Sequence, residues 1–277
     1  MISIDGVLNS NREIRTVFYH DQAHWKTKAK IEEFKALVKQ LVDGGESKTF
    51  YKFSDGEYYW LINKQEGSVR AGKRDSNISI RDLTPFREGV IQNDYMMCQL
   101  LDYHVAWFRE YFKRDFDWPV DYVYALLANK WFTKTFNGQI GLIGAMPKMK
   151  LIKRLCKNQE YLDYLEFDGF TDYIGMPQRY MCDDLDYAEE LMKEQLEKAT
   201  SKVFLVGIGH AQQALLYRMK KYKNAVYIVV GSGIDAFAGV QDNTRPYMAD
   251  WTNYQLTDYD YSTIDIWKSN FINKKIV

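Results

Sequence analysis

Two unbroken apolar runs, Val203-Phe204-Leu205-Val206 and Ala225-Val226-Tyr227-Ile228-Val229-Val230, constrain the fold of this chain most. A strand with one wet face alternates apolar and polar residues, so a continuous run is one covered on both faces. Covering both faces takes helices above and below, and helical crossovers join strands in parallel. The surrounding pattern agrees. Strands are expected at 139–145, 202–207 and 225–230, with a helix starting at Pro147, another capped by Asp183 and another over 211–222. In the first half, Ile31, Phe34, Leu37, Val38, Leu41 and Val42 recur at helical spacing over 27–43, and Gly44-Gly45 stops them. A strand over 48–53 follows, then an Asp55-Gly56-Glu57 turn and a short helix through 58–62. Residues 66–83 are polar and weakly patterned, a loop; Pro85 opens what reads as one long helix to about Lys113, which Asp117-Trp118-Pro119 ends. With no linker or repeat, 1–277 is expected to be a single α/β domain: a mostly parallel sheet flanked by helices, with a helical insertion at roughly 85–135.

Composition excludes more than it selects. Lys plus Arg and Asp plus Glu number 37 each, so no basic excess points to nucleic acid. Three distant cysteines, Cys98, Cys156 and Cys182, suit neither a disulfide framework nor a zinc site; a reducing, cytoplasmic setting is expected. Neither a signal peptide nor a run of about 18 apolar residues is found.

Ligands of such sheets sit beyond the carboxyl ends of the strands. Three segments are expected to meet there: 55–57, 207–210 and 231–239. Asp55 and Glu57, two carboxylates around a flexible Gly56, suit a divalent metal held against a diphosphate. Gly207-Ile208-Gly209-His210 has the order of a phosphate-facing loop. It lacks the third glycine of the dinucleotide fingerprint, where Gln212 stands, and Val230-Gly231 supplies no acid for a ribose. Arg245 offers a cation that could grip phosphate. His20 and His24, four apart, lack a third ligand, and Lys73-Arg74 reads as a solvated loop. There is no nucleophile elbow, Walker A loop or zinc pattern.

At these residues the chain resembles the GT-D class of glycosyltransferases, which have a Rossmann-like core and an Asp-x-Glu motif. Phe53-Ser54-Asp55-Gly56-Glu57 is similar to that family's Arg-Phe-Gly-Asp-Gly-Glu stretch, with Lys52 and Ser54 replacing Arg and Gly. Gly231-Ser232-Gly233-Ile234-Asp235 and Arg245-Pro246-Tyr247 resemble its late loop and Arg-x-Tyr. The resemblance implies transfer of a sugar from a nucleotide donor, UDP-linked by expectation, to an acceptor hydroxyl on a protein, glycan or modified base. It implies Mn²⁺ or Mg²⁺ held by Asp55 and Glu57, and a donor contacted by Ser54, Gly56, Gly207, Gly209, Ser232, Arg245 and Tyr247. Asp235 or His210 would serve as base. Two other readings are an S-adenosylmethionine-dependent methyltransferase, resting on Gly207-x-Gly209, and a non-catalytic nucleotide-binding module.

Overall fold

The structure, a computed structural model, describes residues 24–62, 82–99, 102–178, 181–240, 254–261 and 264. Seven strands form one sheet: β1 (Lys48–Ser54), β2 (Tyr95–Gln99), β3 (Trp118–Pro119), β4 (Ile140–Ala145), β5 (Asp172–Met176), β6 (Val203–Gly207) and β7 (Val226–Val229). Their order is β3-β2-β1-β7-β6-β4-β5, and every pairing is parallel. This is the Rossmann-like α/β arrangement expected from the apolar runs. Residues 204–206 and 226–229 are fully buried because both faces are covered.

Alternation along each strand feeds two apolar layers. Phe50, Leu205 and Ile228 point into a first layer; Tyr51, Phe53, Val206 and Tyr227 point into a second. The first layer is closed by α1 (His24–Asp43), α5 (Val120–Ala128), α6 (Trp131–Thr135), α7 (Met146–Leu155), α8 (Gln159–Leu165) and α11 (Gly233–Phe237). The second is closed by α2 (Asp55–Leu61), α3 (Thr84–Ile91), α4 (Asp102–Phe112), α9 (Leu185–Leu196) and the stretch around α10 (Gln212–Leu215).

Three expectations change. The long helix from Pro85 and the helical insertion at roughly 85–135 give way to α3, β2, α4, β3, α5 and α6, so this stretch builds one flank of the sheet. Asn93 ends α3, its amide donating to the carbonyls of Gly89 and Val90 at 3.0 and 3.1 Å. Met96 and Met97 then face opposite layers, as a strand requires. Asp184, not Asp183, caps α9, its carboxylate accepting the Tyr187 N–H at 2.9 Å. The helix expected over 211–222 is a short α turn between two 3₁₀ segments, Gly209–Ala211 and Leu216–Lys221. The three cysteines form no disulfide, and no described helix is long and apolar enough to cross a membrane.

At the amino-terminal edge, carboxylates tie strand starts together. Asp94 accepts the Thr49 N–H at 2.8 Å, the Thr49 hydroxyl at 3.0 Å and the Lys220 ammonium at 2.7 Å. Asp172 accepts the Thr200 and Ser201 N–H groups at 2.8 and 2.7 Å and the Ser201 hydroxyl at 2.6 Å.

Candidate functional site

The carboxyl ends of β1, β7 and β6 lie side by side, since Phe50 pairs with Ile228 and Val206 with Val229 in parallel register. Beyond β1 the chain turns into α2 on the second layer; beyond β7 it turns into α11 on the first. Loops that leave adjacent strands toward opposite faces part from each other, and in folds of this class that parting is where the ligand crevice lies. Residues 55–57, 207–210 and 231–235 all fall at this edge, as the strand assignments require.

The Asp-x-Glu pair is arranged differently from expectation. Asp55 begins α2, so Asp55, Gly56 and Glu57 form the first turn of a helix rather than a turn before one. Two residues apart on a helix, side chains do not face each other. Asp55 is exposed, and its Oδ1 accepts the Gly56 N–H at 2.9 Å. Glu57 is buried. Its Oε2 accepts the Ser54 N–H at 3.0 Å and the Ser54 hydroxyl, the reciprocal half of a capping box. Its Oε1 accepts the Gln212 side-chain amide at 3.1 Å. Below it, Tyr51 has its phenol pushed well above the ordinary range, first by complete burial and then by the Glu57 charge. Gly56 has helical backbone, and a Cβ there would lie 3.5 Å from His210 Cε1, an ordinary contact; no tight turn requires this glycine.

These positions test the expected Mn²⁺ or Mg²⁺. Asp55 fits a cation ligand, because its carboxylate faces solvent at the crevice. Glu57 does not fit: both of its oxygens are engaged by the protein, and it points inward from Asp55. Among the described residues, no group of three or more His, Cys, Asp or Glu side chains could hold a metal ion. His20 lies outside the described residues, as do Lys73, Arg74, Arg245 and Tyr247.

The two loop glycines divide their roles. A Cβ on Gly207 would meet Ile234 Cγ1 at 2.6 Å and the Gly231 carbonyl at 2.8 Å, so α11 itself fills the space that a nucleotide was expected to approach. Gly209 has φ of +60° with nothing within 4 Å of a Cβ, which leaves its backbone open at the edge. His210 stacks flat on Trp60, centroids 4.4 Å apart at 9°, and its Nδ1 lies 3.3 Å from Gln213 Nε2. The imidazole therefore spans from Gln213 to Gly56, next to Asp55.

Across the crevice, Gly231 has φ of +50°, and Ser232 leads into α11. Asp235, the other expected base, is ion-paired with Lys148 from the first turn of α7. Sequence reasoning missed Lys148. The resemblance counts Lys52 only as a replacement for the family's Arg; its further signal is a charge inside an otherwise apolar strand. Lys52 is buried, with its Nζ 3.2 Å from the Tyr124 hydroxyl of α5.

Comparison with known proteins adds no assignment: no family model matches this chain, and neither does any curated protein or solved structure.

Proposed function

We propose that the chain is a glycosyltransferase that moves a sugar from a nucleotide-linked donor to an acceptor hydroxyl. The observation that carries this reading is the parting of the chain after β1 and β7 to opposite layers, with exposed Asp55 and half-buried His210 on one side and the Gly231-Ser232 turn on the other. Such an edge suits an extended, anionic, two-part ligand. In this reading the open Gly209 backbone and the Ser232 turn border the donor. Glu57 positions rather than binds, holding α2 to Gln212 and so setting His210 beside Asp55.

His210 is the base for the acceptor hydroxyl. The stack on Trp60 fixes its ring plane, whereas Asp235 is already neutralised by Lys148. Mn²⁺ or Mg²⁺ enters only as a counter-ion of the donor's diphosphate beside Asp55, without Glu57. The methyltransferase reading loses support, because Gly207 is packed against Ile234 and no acid closes β7.

A panel of nucleotide sugars, with Mn²⁺, with Mg²⁺ and with chelator, tests the proposal by mass spectrometry of donor hydrolysis or transfer. Turnover should fall at least about 100-fold in Asp55→Ala and in His210→Gln, the scale of a lost acid–base group. Turnover of neither variant below the wild-type rate would sink the site.

A further inference from the structure

We infer that Lys52 and the Gly231-Ser232 turn form the phosphate-gripping point of the crevice, acting from the face of β1 opposite Glu57. The inference rests on the donor reading above and names the part of the site that takes the diphosphate. It starts from an anomaly of strand chemistry. Phe50, Tyr51 and Phe53 are fully buried, and lysine among them is costly unless its ammonium reaches a polar place. Alternation sends Tyr51 and Phe53 to the second layer, so Lys52 extends on the first, as its Tyr124 contact shows.

There the ammonium reaches the top of the neighbouring strand. A Cβ on Gly231 would sit 3.1 Å from Lys52 Nζ. Gly231 is thus required twice, for its left-handed backbone and for the room that Nζ occupies. The turn it belongs to is half-exposed, which places Nζ at the point where the loops after β1 and β7 separate. The Tyr124 hydroxyl, 3.2 Å away, holds the ammonium from the α5 side and limits its swing.

Lys52 is the described cation whose Nζ borders the turn between β1 and β7. A compact ammonium with several donors suits a phosphate oxygen as a point charge. The expected ligand chemistry is a diphosphate, met by a nucleoside diphosphate or by pyrophosphate itself.

Titration calorimetry of the full chain with UDP, GDP, ADP and inorganic pyrophosphate tests this. Lys52→Met should weaken the diphosphate that binds by about 10- to 100-fold while the melting transition persists, and Lys52→Arg should lose less than about tenfold. Should Lys52→Met not fold, Gly231→Ala is the second variant: its methyl crowds Nζ, and binding should again fall several-fold. Wild-type affinity in whichever of these variants folds overturns the phosphate grip. If Asp55→Ala still abolishes turnover in that case, the donor reading stands alone. Wild-type protein that binds neither any nucleoside diphosphate nor pyrophosphate overturns both. Binding of pyrophosphate without preference for any nucleotide keeps the grip and removes the nucleotide donor.

Discussion

The two edges of the sheet carry the same residue types to opposite ends. At the amino-terminal edge Asp94 and Asp172 each accept three hydrogen bonds within the protein, fixing where β1 and β6 begin. At the carboxyl edge the carboxylates split. Glu57 is consumed by Ser54 and Gln212 and Asp235 by Lys148, while Asp55 faces solvent. Carboxylates that follow the same strand and lie on the same helix can thus meet opposite surroundings, one held within the protein and one in solvent. The motif alone does not decide it: Asp55 and Glu57 share one motif and one helical turn, yet only the first faces solvent.

The comparison can be broken most violently where the carboxyl edge is braced. A Cβ on Gly89 of α3 would lie 2.1 Å from the Gln213 carbonyl oxygen, a backbone atom with no means of yielding. Gly89→Ala should cost about 3 kcal/mol or more, read by denaturant unfolding, and should loosen His210 with it. Unchanged stability would mean that α3 does not brace this edge. Next, Asp94→Ala should cost about 2 kcal/mol, because it strands the Thr49 N–H and the Lys220 ammonium, whereas Asp55→Ala should stay within about 0.5 kcal/mol of wild type. Equal losses for the two would erase the distinction between the edges.

A smaller effect follows from pH. Burial works against ionisation of Asp94, but Lys220 and Thr49 outweigh it and hold the carboxyl below its ordinary 3.8. A carboxyl lowered on folding stabilises fully above that ordinary value, and its contribution disappears as pH falls through the lower folded value. The acid limb of a melting-temperature profile should therefore flatten in Asp94→Asn. The smallest effect concerns Cys156, whose thiol is pushed up to about 11, chiefly by burial. It should resist maleimide at neutral pH until the protein unfolds.

Much of the sheet was legible because β4, β6 and β7 are covered on both faces and read as unbroken apolar runs, while the aromatics of β1 mark it as β-prone despite Lys52. The flanks were not. β5 is an edge strand that opens on Asp172 and contains Gly175, β3 has two residues, and Met96-Met97-Cys98 lack the β-branching that would separate strand from helix. At the site, Asp55, His210 and Gly231 could be found from their places after strands. The engagement of Glu57 could not, since its partner Gln212 lies 155 residues away. Nor could the setting of Lys52, which depends on Tyr124, 72 residues on, and on a neighbouring strand's turn. Residue type and order are local, but what a charge touches is decided by what packs across the sheet.

The flat stack of Trp60 on His210 gives the crevice an optical handle. An indole in contact with an imidazole emits less when that imidazole carries a proton, and more once a ligand shifts or shields the ring. The emission lost in Trp60→Phe is thus the part that reports on His210, and following it during titration would show whether a ligand reaches this edge, without any label.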